Sequence, residues 1–435
     1  MSDESLHNAE GVALTALVVF YVLAYVIVRL RRRRPDFRIA LPVAIGIALR
    51  LAVVIAINST GSLQAQLRGG DETTFLDEAR VLAATPWGRG FLPHGEYQLH
   101  TDVFAAQLKL GLTDISGLRI TQIGISMLGM ILIFAAVYDL AGGRAARLAA
   151  WLLAFEPASL FFNSELHKEP LMVLASGLVV FGGTKIWRRF DLNGAMLAAL
   201  GGAIAVETRS YAGWFLVSAA VLLTLHAALR RLDRPGRALP VIYAIAALAF
   251  LVTPTLLTIT SHKSLQTLQE SQNANTGVDG PLSTGGANSN NLADEQVNFS
   301  SRGSVITNLP KRVYDLIVRP YPWQLQDTSQ ELGAVGTLVA LGGLLLTVVY
   351  GWRERRRFVG HVAPMLYPFF FLLIAYSLSA GNAGTGFRYR THLVVLLAAM
   401  LAVLREHAKR AEQDQLAPGS LALDSQPAVS TLVPA

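Results

Sequence analysis

The chain has 435 residues, 52% hydrophobic and only 15% charged, against roughly 25% charged in a soluble domain. That imbalance excludes an ordinary soluble globular enzyme, and a mean hydropathy of +0.42 excludes global disorder. Cysteine is absent, so disulfide frameworks, thiolate nucleophiles and iron–sulfur sites fall away, and any metal must take oxygen or imidazole ligands. The formal net charge of +7 does not point to a nucleic-acid partner, because the basic residues stand in short clusters beside apolar runs, as in cytoplasmic membrane loops.

Residues 11–28 form the first apolar run, about long enough at roughly 1.5 Å per residue to cross roughly 30 Å of hydrocarbon. Asp3, Glu4 and Glu10 precede it, and Arg29, Arg31, Arg32, Arg33, Arg34 and Arg38 follow it. This order predicts a retained span with the N-terminus outside, not a cleaved signal. Further runs at 39–57, 118–140, 147–162, 171–187, 192–206, 212–229, 239–259, 332–350, 362–379 and 392–404 bring the expectation to about eleven spans. Threading them alternately gathers Arg144 with Arg147, Arg188 with Arg189, Arg230 with Arg231, Arg234 and Arg237, residues 353–357, and Arg405 with Lys409 and Arg410 on the cytoplasmic side.

The expected fold is therefore all-α, a polytopic transmembrane helical bundle in the cell (plasma) membrane. It divides into an N-terminal span with its Arg cluster (1–38), a membrane domain (39–404) and a disordered cytoplasmic tail (405–435). Two long loops, 58–117 and 260–331, are placed outside. The second contains a Gly, Asn and Ser-rich stretch over 273–291, expected to be mobile.

In the first outer loop, Phe75, Leu76, Ala79, Leu82 and Ala83 follow the i, i+3, i+4 spacing of an amphipathic helix that would lie flat on the membrane. Asp71 and Glu72 stand at its start, after the pair Gly69-Gly70. Asp71 fits either an N-cap or a carboxylate positioned as a general base, whereas Asp77 and Glu78 are spaced to face water. Three further turns emerge on the same side: Glu165-Leu166-His167-Lys168-Glu169-Pro170, Thr208-Arg209-Ser210-Tyr211, and Arg388-Tyr389-Arg390-Thr391-His392. Each alone reads as an interfacial anchor. Together, Lys168, Arg209, Arg388 and Arg390 supply cations for a phosphate or diphosphate. Arg50 and Glu156 fall inside predicted spans, where a charge needs a partner or a wet cavity.

These motifs resemble those of the GT-C superfamily of membrane glycosyltransferases, which includes the protein O-mannosyltransferases and aminoarabinose transferases. The likeness rests on Gly70-Asp71-Glu72 with Phe75 and Ala79, Leu166 to Pro170, Thr208 to Tyr211, and Arg388-Tyr389-Arg390, and it spans roughly residues 39–404. The stretch Arg319-Pro320-Tyr321-Pro322-Trp323-Gln324 is similar to a segment of bacterial envelope-polysaccharide membrane proteins. In family members the acidic loop generally follows the first span, whereas here an extra span precedes it.

The resemblance implies transfer of a sugar from a polyprenyl-phosphate carrier to a glycan, lipid or protein acceptor at the outer face. Asp71 would be the general base, Glu72 its neighbour or a metal ligand, and Lys168, Arg209 and Arg388 the groups that neutralise the phosphate leaving group. His167, Glu169, Tyr211 and Arg390 complete the expected substrate-binding set. An oxygen-ligated divalent cation is left open, with Asp71, Glu72, Glu165, Glu169 and His167 as its ligands. Two other readings stand beside this one: an envelope polysaccharide polymerase or ligase working through outer Arg and His residues, and a transporter or flippase with Arg50 and Glu156 along its path.

Overall fold

A computed structural model describes residues 3–59, 71–86, 99–112, 114–231, 269–270, 302–325, 328–380 and 383–416. They fold into α1 (Asp3–Arg32), α2 (Ala40–Ser59), α3 (Asp71–Ala84), α4 (Leu99–Lys109), α5 (Ile115–Ala141), α6 (Gly143–Ala154), α7 (Pro157–Phe162), α8 (Glu169–Arg189), α9 (Leu192–Thr208), α10 (Ser210–Leu229), α11 (Arg302–Val318), α12 (Thr328–Arg353), α13 (Phe358–Ser379) and α14 (Ala383–Leu416). No strand occurs among the described residues.

Among these residues, eight helices are long and apolar enough to cross a membrane: α1, α2, α5, α8, α10, α12, α13 and α14. The chain is thus a multi-pass membrane protein by length and composition. The expected span 239–259, the low-complexity stretch 273–291 and Arg234 with Arg237 lie outside the described residues. The last helix does not stop at 404 but runs on to Leu416.

The helices at the centre are α5, α8 and α14. Their most apolar windows are 78%, 89% and 83% buried, against 11% for α1 and 17% for α12 at the edge. Without water to drive apolar surfaces together, membrane helices associate by close backbone approach, which small residues permit. Gly129 of α5 and Gly177 of α8 meet this way, for a Cβ on Gly177 would stand 2.8 Å from the Gly129 Cα. A Cβ on Gly194 of α9 would stand 2.7 Å from the Gly182 carbonyl of α8.

The segment 147–162, expected as one crossing, is instead two helices. Pro157 cannot donate to the ladder and disfavours helical backbone at the residue before it, so α6 ends at Ala154 and α7 restarts at Pro157. At 12 and 6 residues, neither piece spans a bilayer alone. The break also explains two buried charges. Glu156 caps α7, accepting from the Ala158 N–H at 3.2 Å and from the Ser159 N–H. Arg50 is fully buried and donates to Ser159 Oγ at 2.7 Å, to the Gly46 carbonyl at 2.9 Å and to the Leu153 carbonyl at 3.4 Å.

The two ends of the bundle differ in chemistry. At one end the basic clusters meet: Arg34 pairs with Asp139 at 2.6 Å, Arg231 donates to the Ile186 and Trp187 carbonyls, Arg410 to the Ala141 carbonyl, and Arg353 to Glu412. At the other end stand α3, α4 and the first turns of α5, α8, α10 and α14, which carry the acidic and aromatic motifs.

Candidate functional site

The acidic helix α3 forms where its spacing predicts it. Its apolar side, with Leu76 and Ala79 buried, packs on Phe104 and Ala105 of α4, on Leu118 of α5 and on Leu166. That face is therefore covered by protein, not laid flat on lipid as the sequence suggests. Asp71 opens the helix, and its side chain lies outside the described residues.

Glu72 points into the protein and is 2% exposed. Arg119, itself 0% exposed, donates to it twice, at 3.0 and 2.9 Å, and also to Asn58 Oδ1 at 2.5 Å. The Leu166 N–H adds a contact to Glu72 at 3.3 Å. Burial works to raise the Glu72 carboxyl, but the Arg119 hydrogen bonds and charge hold it below its ordinary value. With both oxygens occupied, Glu72 serves as the tether that fixes α3 to α5 beside Asp71.

The turn before α8 supplies the next layer. Glu165 and His167 are buried and meet at 2.7 Å. Burial raises the Glu165 carboxyl, and His167 only partly offsets it. Glu169, fully buried, accepts from Arg209 at 2.6 Å. Burial works to lower the Arg209 guanidinium, but the Glu169 carboxylate more than offsets this and holds it above its ordinary value.

The same guanidinium lies 4.6 Å above the Tyr389 ring, and Tyr211 donates to the Tyr389 hydroxyl at 2.6 Å. Tyr376 stacks on Tyr389 at 4.5 Å and bonds His392 Nδ1 at 2.7 Å, while His392 Nε2 reaches the Glu169 carbonyl at 3.3 Å. Arg388 acts electrostatically on Glu169 and Tyr389. Three turns far apart in the chain, at 165–169, 209–211 and 388–392, thus close on one another.

Beside them opens a cleft of about 820 Å³, lined by Thr74, Phe75, Asp77, Glu78, His100 and Lys168 among others. The Lys168 ammonium sits 5.0 Å over the Phe75 ring, and His100 packs edge-on against the same ring at 4.4 Å. Burial pushes the His100 imidazole down to about 3, and the charges of Lys168 and Arg209 push the same way. His100 is therefore neutral at pH 7 and offers the cleft a hydrogen-bonding group without charge. The lining thus combines aromatic faces, hydroxyls, two carboxylates and one ammonium.

Several expected residues are placed differently. Arg390 turns away from the cleft, donating to Thr337 Oγ1 at 2.6 Å and to the Ile317 carbonyl at 3.3 Å. It ties α14 to α11 and α12. His167 is sequestered by Glu165. Asp77 and Glu78 are exposed to solvent, as expected, and line the open cleft. Among the described residues no group of three or more His, Asp and Glu side chains is placed to hold a metal ion.

His100, Thr101, Arg119, Tyr376, Tyr389 and His392 are the contributors that the sequence reading passed over as site residues. Arg119 carries a readable signal, for it is a charge one residue inside the predicted span 118–140 and demands a partner by the same rule as Arg50. His100 and Tyr376 carry none, since their roles depend on which helices pack beside them. No family model, curated protein or solved structure matches the chain.

Proposed function

We propose that the chain is an integral membrane glycosyltransferase that moves a sugar from a polyprenyl-phosphate donor to an envelope acceptor on the extracytoplasmic face. One observation carries this reading: Lys168, Arg209 and Arg388 are drawn to one end of the bundle, beside a cleft roomy enough for a sugar, whose rim helix begins with Asp71. The opposite end holds the Arg clusters, and the positive-inside rule assigns that end to the cytoplasm.

In this reading the cleft takes the sugar, with Phe75 beneath the ring and His100, Thr101 and Glu78 toward its hydroxyls. Lys168 meets the phosphate. Arg209, charged and braced by Glu169, adds field from behind without moving, and fixed charge of this kind favours a leaving group as negative charge grows on it. The base removes the acceptor hydroxyl proton, the acceptor oxygen bonds the anomeric carbon, and the sugar–phosphate bond breaks with its electron pair going to the phosphate. Asp71 is the residue assigned to the base. The tether from Glu72 to Arg119 fixes the backbone on which it stands.

The test uses purified full-length protein in nanodiscs with radiolabelled polyprenyl-phosphate sugar. Wild type should release polyprenyl phosphate and place label in the acceptor. Asp71→Asn should reduce turnover by about 100-fold or more, the scale of general-base loss, with unchanged thermal unfolding. Full turnover in folded Asp71→Asn with loss in Arg388→Ala would support the polymerase or ligase alternative. Movement of intact donor across the bilayer without chemical change would support a flippase.

A further inference from the structure

A second cavity of about 470 Å³ lies at the other end of the bundle, between the C-terminal ends of α1 and α8. Six cations line it (Arg29, Arg33, Arg34, Lys185, Arg188 and Arg189) against two carboxylates, Asp139 and Asp191. The acids are already engaged. Asp139 takes Arg34 in a two-pronged pair at 2.8 and 2.6 Å, and Arg188 reaches it at 4.0 Å. Asp191 caps α9 and stands 3.9 Å from Lys185. Among the described residues no acid lies within ion-pair distance of Arg29, Arg33 or Arg189.

The walls are not wholly polar. Phe181 lies under both Arg34 at 5.6 Å and Lys185 at 5.1 Å, and Leu30 stands beside it. Helix α1 is an edge helix with 11% of its apolar window buried, so one wall of the recess is formed by the end of a helix whose apolar surface a bilayer would cover. A concave site with surplus cations beside the apolar side chains of Leu30 and Phe181 matches an anion that carries a hydrocarbon tail, and such basic pockets between helices take lipid headgroups.

We propose that this recess is a binding site for the phosphate group of an anionic membrane lipid, held by Arg29, Arg33 and Arg189 with the Arg34–Asp139 pair as its rigid floor. It shares no residue with the cleft and stands whether or not the chain transfers sugars. A soluble phosphate or diphosphate offers the same oxygens, so the experiment separates the two sources.

Full-length protein is placed in nanodiscs of phosphatidylcholine containing a minority of phosphatidylglycerol, and retained lipids are counted by native mass spectrometry. Wild type should retain phosphatidylglycerol selectively. Arg33→Gln/Arg189→Gln should weaken that retention roughly thirtyfold, from about 1 kcal/mol for each basic residue at the surface. The charge-matched control Arg355→Gln/Arg357→Gln, in a basic cluster elsewhere at the same end, should retain it. Retention that inorganic pyrophosphate displaces in wild type, with no preference among lipids, supports the phosphate site and assigns a soluble ligand. Equal loss in both double variants overturns the proposal, since general surface charge would then account for binding. So does equal retention in wild type and Arg33→Gln/Arg189→Gln with no displacement by pyrophosphate.

Discussion

The Glu72–Arg119 pair allows a worked prediction, because both side chains are almost wholly withdrawn from solvent at 2% and 0%. Arg119→Met removes the cation that donates twice to the buried Glu72 carboxylate, so the charge stays buried without its guanidinium. An uncompensated charge of this kind costs about 3–5 kcal/mol. Replacing both partners, as Glu72→Leu/Arg119→Met, removes the stranded charge and should recover most of that loss. Chemical unfolding in mixed micelles, run on the two single variants and the double, gives a coupling energy of about 2 kcal/mol or more. A cost below about 1 kcal/mol for Arg119→Met, or strict additivity in the double variant, would refute the buried tether. The pH dependence follows from the lowered Glu72 carboxyl. The folded protein releases this proton more readily than the unfolded chain, so the stabilisation is complete above the ordinary value of 4.5 and is lost as pH falls below it. The double variant should lack this loss.

His100 gives the same kind of dependence in a higher window. The unfolded chain takes up a proton near pH 6.5, while the folded imidazole stays neutral down to about 3, so stability should fall as pH drops below 6.5. His100→Gln should flatten the unfolding profile there, and an unchanged slope would contradict the burial of this ring. At the centre of the bundle, Gly177→Val places a branched side chain against the Gly129 backbone and should cost about 1–3 kcal/mol by forcing α5 and α8 apart. Ala substituted at Gly342, whose added Cβ meets nothing within 4 Å, is the control and should leave thermal unfolding unchanged.

Much of the fold can be read from the chain because a long apolar run has few alternatives in a bilayer. The runs at 118–140, 171–187 and 362–379 reappear as α5, α8 and α13, with ends shifted by a few residues. The run 147–162 misleads, because mean hydropathy does not register what Pro157 does to the residue before it. Half of the site is legible for a similar reason: charged and aromatic residues flanking apolar runs must sit near one end or the other. Which of them meet is a matter of helix packing. Arg388 and Arg390 are two residues apart on α14, about 200° around the helix, so one faces the Glu169 cluster and the other faces Thr337. Nothing in Arg-Tyr-Arg alone says which is which. His100 similarly gains its place only when α4 folds back over α3 and brings its ring onto Phe75.

The most direct test of the account is to photo-crosslink the protein with a polyprenyl phosphate carrying a diazirine next to the phosphate, then map the labelled peptides by mass spectrometry. Label is expected at Phe75–Thr85, His100–Thr101 and Lys168, reduced in Lys168→Met and competed by unlabelled donor. Label confined to the outward faces of α1 and α12, unchanged in Lys168→Met, would contradict it.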